Sequence, residues 1–105
     1  MAKFYLFIVI ISLLDLFAEY MGKQWILAGR PLYLVLTVLG FGIAGFFFAH
    51  SLKYEGVAVA NILWIALTAI LVTLMGYFVF KEQLSALNLV GIATIIVGVI
   101  LLNLR

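Results

Sequence analysis

Ser12, Asp15, Glu19 and Lys23 follow one another at spacings of three, four and four residues, so a helix carries all four on one face. A carboxyl with apolar neighbours holds either a proton or a cation, and competition between the two is the chemical basis of exchange. Glu19 is the sharper candidate, because Phe17, Ala18, Tyr20 and Met21 beside it are all apolar. Asp15 is a second candidate on the same face. Two simpler readings stand beside exchange. Asp15, Glu19 and Lys23 neutralise one another as an i,i+4 ladder, or Glu19 lies shallow enough to reach water by snorkelling. Further along, Asn61, Trp64 and Thr68 share a helix face and could surround a ligand, although buried Asn and Thr also serve simply as hydrogen-bond partners between helices. His50, beside Ser51 and Lys53, reads as an interfacial residue, and Glu82 as a solvated turn charge. No Ser-His-Asp set, paired histidine, Gly-rich phosphate loop or cysteine accompanies them, so the sequence points neither to an enzyme nor to a metal or cofactor site.

The elements that must position these groups follow from composition. Of the 105 residues, 69% are apolar and 10% charged, against about 45–50% and about 25% in soluble domains. Uncharged runs of 22, 25 and 22 residues extend from Pro31 to Leu52, Gly56 to Phe80 and Gln83 to Leu104. About 20 residues suffice to cross a hydrocarbon core of ~30 Å. Phe4 to Gly22 is comparable in length but holds two acids. The sequence therefore predicts an all-α membrane protein, a single domain over 1–105 with four transmembrane helices at about 4–22, 32–51, 57–80 and 84–104. The apolar runs are far too long for the strands of a membrane barrel. Gly29-Arg30-Pro31 is a turn with a proline placed to open the second helix, and Trp25 sits where an interfacial aromatic belongs. Connections this short force successive helices to be antiparallel. The net charge of +2 is scattered, which excludes a nucleic-acid partner and leaves the lipid bilayer as the surrounding medium. A charge at the bilayer centre costs ~2.5–3.5 kcal/mol on insertion scales, so two acids on one membrane face are expected to have a use.

Met1-Ala2-Lys3 ahead of Phe4 to Leu14 has the outline of a signal peptide. Asp15 interrupts it and Leu16-Phe17-Ala18 offers no small-x-small cleavage site, so a retained helix is expected. Lys3, Lys53 and Arg105 would share one side of the membrane, and Lys23, Arg30 and Lys81 the other. A count of three against three gives no orientation bias. Either a subtler signal sets one orientation, or the chain inserts both ways and assembles as an inverted pair. Gly91, Thr94 and Gly98 share one face of the fourth helix, and Gly42, Gly45 and Ala49 one face of the second. Close approach at small residues drives helix association in lipid, within a subunit or between subunits. Four such helices enclose little beyond their own side chains, so a sizeable ligand cavity argues for a dimer.

The Ala18-Glu19 pair followed by Gly22, and Gly91-x6-Gly98-Val99 in the last helix, resemble the small multidrug resistance transporters. The stretch from Ser51-Leu52-x-Tyr54 through Ala60, Trp64, Phe80, Leu84 and Gly91 to Leu104 keeps that family's register without gaps, and its end is also typical of the wider drug/metabolite transporter superfamily. The resemblance implies an integral, multi-pass protein of the inner (cell) membrane, acting as a homodimer, often of inverted subunits. It would exchange protons for small cationic or amphipathic compounds. Glu19 would be the shared proton and substrate site, Trp64 would line the pocket, and the fourth helix would be the dimer contact through Gly91 and Gly98. The helix faces themselves add Asn61 and Asp15 to the candidate binding residues and Thr94 to the contact. Asn61 stands where the family commonly has tyrosine, Ala66-Leu67-Thr68 where it has a Gly-x-Gly hinge, and Gly42 where it has an aromatic residue. Asp15 and Lys23 add charges that typical members lack, and Lys23 would repel a cation. Two other functions fit the same features: a lipid-linked sugar flippase or polyamine exporter subunit of that superfamily, and a non-transporting membrane scaffold.

Overall fold

A computed structural model describes residues 2–104, the side chain of Asn103 excepted. Met1 and Arg105, which enter the signal-peptide outline and the charge balance, lie outside the described residues. The described chain is helical throughout its regular structure, as α1 (Ala2–Ala28), α2 (Pro31–Ser51), α3 (Val57–Phe78) and α4 (Ala86–Asn103). The all-α, four-helix expectation is met. α1, α2 and α3 are each long and apolar enough to cross a membrane. α4, at 18 residues, is shorter and spans about 27 Å.

Helix ends differ from those expected for identifiable reasons. α1 runs six residues past Gly22, because the first feature that stops it is Gly29, in the left-handed region at φ +73°. The Gly29 N–H donates to the Trp25 carbonyl at 2.7 Å, which closes the last turn as a helix C-terminus requires. Pro31 then opens α2, at a position where its missing N–H has no intrahelical partner to lose. α3 stops at Phe78, two residues early, and α4 starts at Ala86 rather than at 84. Ser85 sets that start with a reciprocal cap: its Oγ accepts from the Asn88 N–H at 3.1 Å, while Asn88 Oδ1 accepts from the Ser85 N–H at 3.0 Å.

The helices form a slab of 45 × 35 × 18 Å rather than a closed bundle. α1 packs on both α2 and α3, and α4 packs on α3. Gly22 against Thr37, Ala18 against Gly40 and the Phe7 ring against Phe47 show α1 and α2 running antiparallel. Phe4, Ile8, Ala60 and Leu63 form a buried cluster between α1 and α3. On α2 the packing glycine is Gly40, whereas Gly42, Gly45 and Ala49 are exposed. The small-residue face expected on that helix is therefore not its contact within the subunit. A methyl at Gly40 would sit 2.9 Å from the Ala18 Cβ and 3.3 Å from its Cα, while Gly42 and Gly45 face open space.

Gly40→Val should therefore push α2 off α1 and destabilise the fold by about 1–3 kcal/mol. Gly42→Ala and Gly45→Ala should stay within about 0.5 kcal/mol of the parent. Denaturant unfolding in detergent micelles measures all three.

Candidate functional site

α1 buries one face, made of Phe4, Ile8, Ile11, Ser12, Asp15 and Ala18. That face carries Asp15 inward, and only 8% of the residue remains exposed. Its carboxylate is satisfied across the helix interface: the Trp64 indole N–H donates to Asp15 Oδ2 at 3.0 Å. The indole ring also packs against Phe48 of α2, with ring centroids 5.2 Å apart. One side chain thus joins three helices. The Trp64 indole N–H, expected at a ligand pocket, is taken up by Asp15.

Glu19 lies one turn further along α1, half-buried, with its carboxyl within hydrogen-bonding reach of Asp15. Lys23, the next residue up the face, is paired not with Glu19 but with Glu82, its Nζ lying 3.9 Å from Oε2. The three-residue ladder, one of the alternative readings of this face, is therefore split, and Glu82, an exposed turn charge, has Lys23 as its partner. It folds back over the end of α3, where its N–H donates to the Gly76 carbonyl at 2.9 Å.

Two buried hydroxyls flank the Asp15–Trp64 bond, one on each of the helices it joins. Ser12 Oγ and Thr68 Oγ1 have no hydrogen-bond partner, although the residues are only 0% and 7% exposed. Asn61, one turn before Trp64, is half-buried and makes no hydrogen bond to either carboxyl. Gly91, Thr94 and Gly98 lie apart from this cluster on α4, all exposed, with nothing within 4 Å of where a glycine Cβ would stand. The Thr94 hydroxyl donates to the Val90 carbonyl of its own helix at 2.8 Å. An open apolar groove between α1 and α3, lined by Leu16, Tyr20, Leu71 and Met75 among others, runs along the adjacent face. Sequence reasoning missed the Asp15–Trp64 bond and the Glu82 contact, since neither spacing within a helix nor composition reports partners on another helix. The Ser85 cap was legible in Ser85-x-x-Asn88 at the head of an apolar run.

Long apolar helices joined by short connections define an integral, multi-pass membrane protein. The chain belongs to the EamA-like transporter family, whose profile matches residues 2–104. The quaternary ammonium compound-resistance protein QacG of Staphylococcus sp. (strain ST94) is 33% identical over 67 residues, 64% of this chain and 63% of QacG. The chain thus covers less than two thirds of that relative's length. The multidrug resistance protein EbrA of Bacillus subtilis (strain 168) is 32% identical over 68 residues, 65% of each chain. The quaternary ammonium compound-resistance protein QacH of Staphylococcus saprophyticus is 27% identical over 95 residues, 87% of this chain and 89% of QacH. These relatives bear out the resemblance to small multidrug resistance transporters.

Trp64→Phe removes the indole N–H and leaves a buried Asp15 oxygen without its donor. It should lower stability by about 1–3 kcal/mol. Asp15→Asn keeps an acceptor and should lower it less. Combining Trp64→Phe with Asp15→Leu should lose less than the sum of the two single changes, as a thermal unfolding cycle in detergent would read.

Proposed function

We propose that the protein is a proton-coupled exporter of small cationic or amphipathic compounds, with Glu19 as the site that proton and substrate occupy in turn. The observation that carries this reading is the state of the two carboxyls. Asp15 is buried and already accepts the Trp64 N–H, whereas Glu19 is half-buried at the edge of the same face. A group that must exchange ligands needs an open side, and Glu19 has one. Asp15 and Trp64 position the pocket wall, and Asn61 stands at its margin. The apolar groove between α1 and α3 supplies surface for the hydrophobic part of an amphipathic cation. Names of the relatives, given for resistance to quaternary ammonium compounds and to multiple drugs, agree with that substrate class.

The acting unit is a homodimer. α4 exposes nearly its whole surface, including Gly91, Thr94 and Gly98, and a second copy laid along it would cover apolar area and allow close backbone approach. The balanced Lys/Arg count supports an inverted pair.

Proton release from detergent-solubilised protein on addition of quaternary ammonium cations tests the mechanism. Raising the pH should tighten cation binding until Glu19 is fully ionised and have no effect beyond that, because the proton is the competitor being removed. Glu19→Gln should abolish both binding and release, Glu19→Asp should keep exchange, and Asp15→Asn should do less harm than Glu19→Gln. Retained release in Glu19→Gln together with its loss in Asp15→Asn would mean that the exchanging carboxyl is Asp15.

Disulfide-independent cross-linking in membranes tests the assembly. Gly91→Leu or Gly98→Leu should cut dimer yield at least about tenfold by separating the backbones. Val97→Leu should leave it unchanged, and equal yields in all three would remove α4 from the interface.

A further inference from the structure

Lys23 stands one helical turn from Glu19 on the same face of α1, where an ammonium would compete with any cationic substrate. We infer that Glu82 is a specificity-determining residue that holds Lys23 away from Glu19 and so keeps that carboxyl available to a cation. The inference rests on the Glu19 reading above and adds a residue to it from a different part of the chain.

Four features converge on the contact. Lys81 adopts φ +58°, in the left-handed region that a lysine rarely enters, and this reverses the chain immediately after α3. The reversal returns the next residue to the helix end, where the Glu82 N–H donates to the Gly76 carbonyl at 2.9 Å. Gly76 is buried, and its missing side chain leaves room for the Glu82 carboxylate: a Cβ there would stand 2.6 Å from Oε1. The other oxygen, Oε2, faces Lys23 Nζ at 3.9 Å. Phe80 of the same turn completes the seat, with the Lys23 ammonium 5.9 Å from its ring centroid and the Tyr20 ring 5.7 Å away on α1.

An ion pair whose partners are 43% and 51% exposed contributes little stability. Its consequence is where it places a charge. The charged groups nearest Glu19 along its face of α1 are Asp15 and Lys23, and Glu82 reaches Lys23 from the α3–α4 turn. α2 packs on this stretch of α1 through Thr37 and Gly40, and α3 through Trp64, all three uncharged. Lys23 is therefore the cation nearest to Glu19 along its face, and Glu82 is the acid that engages it.

Two measurements on the full-length protein test this. Zero-length carbodiimide coupling read by mass spectrometry should join Lys23 to Glu82 in the parent and Lys23 to Glu19 in Glu82→Gln. A Lys23–Glu19 product in the parent would overturn the inference whatever the protein transports. Equilibrium binding of tetrapropylammonium should weaken in Glu82→Gln by between about threefold and about a hundredfold, the range set by one unit charge about 6 Å from Glu19 in media from water-like to protein-like. Gly76→Ala, which displaces the carboxylate without changing any charge, should weaken it in the same direction. Glu82→Asp should retain most of the affinity. Glu82→Gln combined with Lys23→Met should bind as tightly as Lys23→Met alone. If the double variant stays as weak as Glu82→Gln, Glu82 only braces the turn and the inference falls. Expected couplings with equal binding in the parent and in Glu19→Gln would instead retire the Glu19 reading and leave the charge clamp standing.

Discussion

A hydrocarbon core contains no water to satisfy a carboxyl, and Asp15 sits on the buried face of a helix that crosses one. Its oxygen must find a donor inside the protein, and the donor is the Trp64 indole at 3.0 Å. That bond fixes how α1 is turned relative to α3, because a rotation of either helix by one residue would separate donor and acceptor. With α1 turned in this way, Ser12 and Ala18 face inward and Glu19 falls at the edge. The half-burial of Glu19 is thus a consequence of how Asp15 is satisfied. Phe48 of α2 holds the indole ring, so the same constraint reaches the second helix.

Packing around this polar contact uses small residues between α1 and α2 and larger apolar ones between α1 and α3. Ala18 meets Gly40 where α1 and α2 come closest, and Phe4, Ile8, Ala60 and Leu63 fill the opposite end between α1 and α3. In lipid, surrounding hydrocarbon is as apolar as a leucine side chain, so close backbone approach and dispersion contacts must do what hydrophobic burial does in water. α4 stands outside this arrangement, joined to α3 and exposed along the remainder of its surface. Such a helix is stable in a bilayer, where exposed apolar side chains are solvated by lipid, and it leaves a long apolar face for a partner.

Charge is confined to the ends and to one stripe. The α3–α4 turn brings Glu82 back to Lys23 at the same end of the molecule that carries the Gly29-Arg30-Pro31 turn, as the alternation of α1, α2 and α3 requires. A lysine one turn from a candidate cation site would be a liability if it were unpaired. In the folded chain it has a carboxylate and an aromatic ring as neighbours.

The sequence by itself determined the class of fold, since uncharged runs of 22 and 25 residues have no stable form in lipid other than a helix that satisfies its own backbone. It also put Ser12, Asp15, Glu19 and Lys23 on one face, because helical periodicity is a local property. What it could not give was the partner of each group. Whether Lys23 answers Glu19 on its own helix or Glu82, 59 residues later in the chain, depends on how the α3–α4 turn folds back. The same holds for Trp64, which shares a helix face with Asn61 and Thr68 yet spends its N–H on Asp15. Of the candidate glycines on α2, Gly40 became the contact and Gly42 and Gly45 did not, because only the rotation of α2 about its axis decides which face meets Ala18. Those choices belong to the tertiary structure for one physical reason: burial, hydrogen bonding and ion pairing are settled between helices, and periodicity along one helix carries no information about its neighbour.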